Sequence, residues 1–232
     1  MSLMKKTQIG MLVFPQMTSL DILGPFEVMA RAPDCEVDLV WKDLQSIEGD
    51  TRLRIVPTQR FDTAPQYDVI VVPGGPGQTA MLEDKEFIAF LRTQGAEASL
   101  VTSICTGSLL LAAAGLLTGY KATCHWLSMD ILALFDVQVV PERVVVDRNR
   151  ITGAGVTSGL DFAFTVVAAL RGKEAARALQ LMLEYDPAPP FDSGHPRVAA
   201  AALVDKVREA ASSMLEERRT VSARVAKAMA GK

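Results

Sequence analysis

Three short stretches place reactive side chains among small residues. The first runs Ser99-Leu100-Val101-Thr102-Ser103-Ile104-Cys105-Thr106-Gly107-Ser108, an apolar run that stops at a cysteine and turns at once into the helical pattern Leu109 to Ala114. A residue at such a strand-to-helix turn projects above its sheet. It also sits at a helix N-terminus, where unpaired N–H groups and the helix dipole favour negative charge. A free thiol has a pKa of about 8.5, and this placement lowers it toward the thiolate, so Cys105 reads as a nucleophile. The plainer reading is a small buried apolar residue, common for free cysteine. The second stretch, Pro73-Gly74-Gly75-Pro76-Gly77, follows the apolar run Asp68 to Val72. Backbone N–H groups at Gly74 and Gly75, with that of Thr106, predict an oxyanion-type pocket. A phosphate cradle lacks its Lys-Ser/Thr, and a tight turn without a ligand is the other alternative.

The third stretch holds Asp21, one loop beyond the first apolar run. An acid in a first helical turn commonly does no more than complement the dipole. Its position predicts instead that it faces the same crevice as Cys105, where a partly buried carboxyl beside a thiolate has a raised pKa and can donate a proton. His125, between Cys124 and Trp126, reads as a hydrogen-bonded supporting residue rather than the base. A zinc site of Cys105, Cys124 and His125 lacks CxxC spacing. His195 reads as a loop residue in solvent, and Cys35 as inert.

The elements that must position these groups alternate between strand and helix. Gln8 to Phe14 is a central strand ended by Pro15, and Ser19 caps a helix over Leu20 to Arg31, kinked or delayed at Gly24-Pro25. Glu36 to Lys42 is a strand, and Ser46 to Pro57 a hairpin around Gly49-Asp50. Asp84 caps a helix to about Thr93, and Gly115 is the left-handed stop of the Cys105 helix. Lys121 to Cys124 is extended, and Trp126 to Leu134 a short helix. Three brief β runs then cover 137–140, 144–147 and 151–152. Ser158 opens a helix to Leu170 closed by Gly172, and a further helix spans Glu174 to Tyr185. Beyond Pro187-Ala188-Pro189-Pro190, residues 197–229 read as one alanine-rich, charged helix. This pattern predicts an α/β fold with a mostly parallel sheet, helices on both faces, small β-hairpin additions and a long C-terminal helix. One domain fills 1–232, with a core of about 7–185 and a helical tail of about 196–230. In such sheets ligands bind beyond the carboxyl ends of the strands, where all three stretches fall.

Composition bounds the function. At 232 residues, 49% hydrophobic and with a formal charge of −3, the chain favours neither nucleic acid nor a membrane surface as partner. No apolar run reaches membrane-spanning length, and Lys5-Lys6-Thr7-Gln8 interrupts any signal-peptide core. Three cysteines form no paired framework and point to a reducing, cytoplasmic compartment. Met1-Ser2-Leu3, ahead of Met4, reads as an added leader.

Together these residues resemble the ThiJ/PfpI superfamily, flavodoxin-like and related to class I glutamine amidotransferases. The resemblance is carried by Leu20-Asp21-Ile22-Leu23-Gly24-Pro25-Phe26-Glu27-Val28, Val72-Pro73-Gly74-Gly75-Pro76-Gly77, Ile104-Cys105-Thr106-Gly107 and Gly153-Ala154-Gly155-Val156-Thr157-Ser158-Gly159-Leu160-Asp161. It extends through about Tyr185. Within the superfamily the chain is similar to the isocyanide hydratase branch, which pairs an aspartate in the Leu-Asp-Ile-Leu-Gly-Pro helix with Cys-Thr at the elbow. Other branches carry glutamate at the Asp21 position, or Cys-His at the elbow. The resemblance implies a lyase that hydrates an isocyanide to an N-substituted formamide through a Cys105 thioimidate. Cys105, Asp21 and Thr106 are then the catalytic set, with Gly74, Gly75 and Thr106 on the bound group. His125 and the Gly155-Val156-Thr157 loop stand behind them. It implies a homodimer and neither metal nor organic cofactor. Two alternatives stand beside it: a redox-sensing or regulatory ligand-binding module built on Cys105, and glyoxalase-type chemistry using Cys105 with His125. The same Asp and Cys-Thr pattern occurs in sensor domains of AraC-like regulators, whose DNA-binding domain the tail after Pro196 is too short to supply.

Overall fold

Short runs of β-branched and aliphatic residues become the buried centre of one sheet, because only strands covered on both faces can be apolar along their whole length. The computed structural model describes residues 6–231; the leader assigned to Met1–Leu3 lies outside them. Strand β1 (Thr7–Leu12) is followed by helix α1 (Leu20–Met29) and strand β2 (Cys35–Trp41). A hairpin of β3 (Ile47–Glu48) and β4 (Arg54–Ile55) and a short strand β5 (Gln59–Arg60) come next. Strand β6 (Val69–Val72), fully buried, leads through one helical turn, α2 (Gln78–Met81), into α3 (Lys85–Glu97). Strand β7 (Leu100–Ile104) runs into α4 (Gly107–Ala113). After β8 (Lys121–Ala122), a 3₁₀ turn at Trp126–Ser128 and α5 (Met129–Leu132), the chain forms β9 (Gln138–Val139), β10 (Val144–Asp147) and β11 (Arg150–Gly153). Four helices complete it: α6 (Ser158–Arg171), α7 (Lys173–Met182), α8 (Ala201–Ala210) and α9 (Ser212–Ala230).

Seven strands form the main sheet in the order β10-β11-β7-β6-β1-β2-β5, parallel except for the edge strand β10. The chain winds outward from β1 through β2 to β5, then returns to lay β6 on the other side of β1. The order therefore reverses between β1 and β6, which opens a crevice at their carboxyl ends. Helices α1, α6 and α7 pack together on one side; α2, α3, α4, α5 and α9 form the other layer. This is the flavodoxin-like α/β architecture that alternating strands and helices predict.

Local chemistry explains most boundaries. Asp84 caps α3 by accepting the Phe87 N–H at 3.0 Å, and Gly115 and Gly172 adopt positive φ at helix ends. The hairpin around Gly49-Asp50 lies over the loop after β1, where the Gln16 N–H donates to the Glu48 carbonyl and the Asp50 N–H to that of Met17.

Three expectations require correction. The Ser19 side chain does not cap α1: Ser19 is itself in helical conformation, and its carbonyl accepts from Ile22 and Leu23 while its hydroxyl has no partner. Helix α1 runs through Pro25 to Met29, its regular portion not delayed by Gly24-Pro25. The tail is two helices divided at Ala211: α8 buries no residue, whereas α9 buries Arg218, Val221 and Ser222. A long helix that packs on only part of its length breaks where the packing starts.

Candidate functional site

Cys105 directly follows the last residue of β7, and its backbone takes φ 55°. That left-handed conformation is rare for a residue with a side chain and needs support from its surroundings. The support is here: the Cys105 N–H donates to the carbonyls of Gly153 (3.0 Å) and Ala154 (2.8 Å), at the end of neighbouring β11. The bend throws the side chain off the strand line toward the end of β6. Gly74 lies directly against it, since a Cβ added there would come 2.4 Å from the Thr106 nitrogen and 2.9 Å from the Cys105 Cβ.

Asp21 reaches the same point from α1. It is fully buried; Oδ2 accepts the Gly74 N–H at 2.8 Å, and Oδ1 has no fixed partner. Burial raises its pKa to about 7, opposed by the Gly74 hydrogen bond, assisted by the charge of Asp50, and opposed again by a hydrogen bond with Cys105. The Asp21 carboxyl and the Cys105 side chain therefore both lie against Gly74. Cys105 departs from the expected thiolate. Burial pushes the thiol well up, the Asp21 and Cys124 charges add to this, and the Thr106 N–H and Arg218 oppose it only partly. The helix dipole that should favour the anion is overruled because almost no water reaches the sulfur; Cys105 is only 5% exposed.

The glycine loop also differs from expectation. The Gly74 N–H is engaged by Asp21, and the Gly75 N–H donates to Thr106 Oγ1 at 3.1 Å. Neither is free for a ligand, so these two N–H groups orient the Asp21 carboxyl and the Thr106 hydroxyl instead of lining an oxyanion pocket. Gly75 has φ 126°, and a Cβ there would lie 2.3 Å from the Thr18 nitrogen. The close approach of the two loops therefore demands glycine. Of the three N–H donors expected to line the pocket, only that of Thr106 is directed at the sulfur.

His125 stands on the other side of the loop that follows β11. Its Nδ1 accepts the Leu127 N–H at 3.3 Å, and Gly155 packs against its ring. Burial, with Arg218 adding to it, lowers the His125 pKa to about 4, so the imidazole is neutral. Cys124 is buried with its thiol pushed up to about 12, chiefly by desolvation. Among the described residues, Cys105, Cys124 and His125 form no metal-ligand cluster. A cavity of about 510 Å³ opens beside them, lined by Cys124, His125, Gly155, Val156 and Thr157 on one side and by Arg143 and Arg208 on the other. Cys105 itself does not line it. His195 borders this cavity rather than free solvent.

A fold with a left-handed cysteine after β7 and a buried acid after β1 matches a known family model over residues 7–169, that of the DJ-1/PfpI family. The chain belongs to the DJ-1/PfpI family. It is 48% identical over 219 residues to the isonitrile hydratase of Pseudomonas putida, covering 94% of this chain and 96% of that one. It is also 27% identical to the HTH-type transcriptional regulator GbdR of Pseudomonas aeruginosa, of which it spans only half the length. Among solved structures, a ThiJ/PfpI family protein from Pseudomonas syringae superposes with a TM-score of 0.91 at 44% identity, covering 94% of this chain and 90% of that one. Drosophila melanogaster DJ-1beta shares the fold, with a TM-score of 0.71 at 24% identity over 77% of this chain and 98% of that one.

Beyond the residues that carry the family pattern, the structure adds one that sequence reasoning missed. Arg218, in α9, is buried to 3% exposure and its Nη1 donates to Ser128 Oγ at 3.0 Å, next to the Cys124–His125 turn. Nothing in the charged tail distinguishes Arg218 from Arg219, one residue on, which pairs with Asp130 at the surface. Among the described residues, no helix is long and apolar enough to cross a membrane.

Proposed function

We propose that this protein is an isonitrile (isocyanide) hydratase, converting R–N≡C and water to an N-substituted formamide through a covalent intermediate on Cys105. The observation that carries this reading is the buried Asp21 carboxyl held at the Gly74 N–H, the glycine against which the Cys105 side chain packs, in a chain nearly half identical to an isonitrile hydratase. A hydration of this kind adds the elements of water across one carbon and needs a nucleophile and a single proton shuttle.

Because the resting sulfur is held as a thiol, Asp21 acts first as base and then as acid. The Asp21 carboxylate takes the Cys105 proton as the sulfur attacks the terminal carbon of the isonitrile. Asp21 then gives that proton to the same carbon, leaving the thioimidate R–N=CH–S. Water adds to the carbon, its proton passing through Asp21 toward nitrogen. The C–S bond breaks, the sulfur recovers a proton, and R–NH–CHO leaves. A pKa of about 7 suits both roles near neutral pH. Gly74 holds the carboxyl in place, and Gly75 fixes the Thr106 oxygen, whose O–H, at 3.5 Å from the Gly75 carbonyl, turns to the nitrogen once the thioimidate forms. Gly155, Val156 and Thr157 line the 510 Å³ cavity, which receives the R group of the substrate in this proposal.

The competing readings fit less well. Redox-sensing cysteines are exposed and low in pKa, the reverse of Cys105. A His125 base would need an imidazole that protonates near neutrality, whereas this one is held neutral with Nδ1 already engaged. A homodimer in the cytoplasm completes the proposal. Leu20 and Leu23 of α1 are 47% and 38% exposed next to the site and give a second copy an apolar surface, and all three cysteines are free. Sedimentation at micromolar concentration tests the dimer.

The reaction is tested by following formamide from a simple alkyl isonitrile. Cys105→Ala abolishes turnover, and Asp21→Asn lowers it by about 10²- to 10⁴-fold. In the Asp21→Asn variant, which can neither take the Cys105 proton nor deliver it to carbon, the Cys105 peptide stays unmodified. Turnover by Cys105→Ala overturns the mechanism.

A further inference from the structure

We propose that Arg218, carried by the C-terminal helix α9, is a positioning residue that supplies the positive field in which the Cys105 sulfur takes negative charge. The inference rests on the reading of Cys105 as nucleophile and deepens it.

The guanidinium is unusual in its setting. It is buried, bonded to Ser128 Oγ through Nη1 and to Met214 Sδ (3.6 Å) through Nη2, while its Nε has no partner. Among the described residues no carboxylate lies within ion-pairing distance of it, although its neighbours on the same helix, Arg219 and Arg224, pair with Asp130 and Glu83. Burying a charge without a counter-ion costs several kcal/mol. A structural arginine would be expected to find a carboxylate.

Its surroundings supply an anion of another kind. Helix α9 packs on α4, whose first turn begins two residues after Cys105, and on α5. Ser108 of α4 donates to the Thr123 carbonyl next to Cys124, and the Ser128 N–H donates to the His125 carbonyl. Arg218 is thus anchored beside the Cys124–His125 turn, and Ser108 of α4 ties that turn to the elbow at Cys105. The titratable groups whose charge bears on this turn are Asp21 from α1, Cys124 and His125 from the turn itself, Asp130 from α5 and Glu217 from α9. His125 is neutral, so Arg218 is the cation that acts on the sulfur.

The field is asymmetric. Arg218 favours the anion at Cys105 and at Cys124, and Asp50 disfavours it at Asp21. The Asp21–Cys105 pair holds one negative charge whether the shared proton sits on sulfur or on carboxyl. Arg218 and Asp50 both move that charge toward sulfur. Proton transfer to Asp21 then leaves the thiolate facing a guanidinium, and the cluster as a whole is neutral.

The test is the pH dependence of Cys105 alkylation by iodoacetamide, read at the Cys105 peptide by mass spectrometry in the full-length protein. Arg218→Met raises the midpoint by about one pH unit, and Arg218→Lys restores at least half of the shift. If Arg218→Met does not fold, Arg218→Gln keeps a donor for Ser128 without the charge and shows the same rise. A midpoint unchanged in a folded, uncharged variant overturns the inference, whether or not the enzyme hydrates isonitriles. Conversely, a protein that shifts as expected yet makes no formamide keeps this role and loses the proposed reaction.

Discussion

At the scale of single residues, Asp21 carries the sharpest consequences. A carboxyl whose pKa is about 7 in the native state and 3.8 when unfolded binds more protons folded than unfolded between those values. Stability is therefore lost as pH rises from about 4 to 7 and is flat above that. A tenfold difference in proton affinity between the two states is worth about 1.4 kcal/mol, so the site carries a few kcal/mol of strain at pH 8. Asp21→Asn, whose side-chain oxygen can still accept from Gly74, removes this cost. Thermal melts should show the variant more stable than the parent at pH 8, with the gap closing toward pH 4. An equal gap at both ends of the range would contradict the assignment. The same titration shapes catalysis: since Asp21 must be ionised to take the Cys105 proton, kcat/KM rises with pH through about 7. A profile flat from pH 5 to 9 would exclude that role. Such a site trades stability for reactivity, as a strained, buried acid beside a left-handed cysteine suggests.

At the scale of elements, two close approaches hold the site. Gly75 fits against the Thr18 backbone, so Gly75→Ala must push the β6–α2 loop away from the loop after β1. The Thr106 hydroxyl loses its donor, and formamide production falls at least about tenfold while the far-ultraviolet circular dichroism stays that of the parent. Deeper in the sheet, a Cβ on Gly10 would fall 2.5 Å from the Tyr67 ring, which is buried and bonded through its hydroxyl to Asp38 at 3.0 Å. Overpacking of this kind costs roughly 1–3 kcal/mol. Gly10→Ala therefore lowers the urea midpoint with little effect on turnover of the protein that remains folded. The elements themselves were largely legible: Asp84, Gly115 and Gly172 mark helix ends by mechanisms that act over a few residues. Ser19 was misleading because capping depends on its own backbone conformation, which packing sets.

For the whole molecule, stability should be graded from the sheet outward. Strands β1, β6 and β7 sit at its centre and are buried on both faces, whereas α8 has no buried residue. Amide hydrogen exchange should accordingly be fastest in 201–210 and slowest in 69–72 and 100–104, with α9 between them because it packs on α4 and α5. Protection of α8 equal to that of β6 would show a covering surface that one chain lacks.

The sequence by itself determined the alternation of strand and helix, the elbow at Cys105, the glycine loop after β6 and the nearness of Asp21 to both. These follow from hydrophobic periodicity and from rules about what lies at strand ends, and both act locally or through a topology with few alternatives. Only the tertiary structure decided the charge state of the sulfur, the engagement of the Gly74 and Gly75 N–H groups, and the arrival of Arg218 from the far end of the chain. Protonation depends on how much water three dimensions exclude, and a buried arginine looks like any other in a charged helix until the surface it packs against is known.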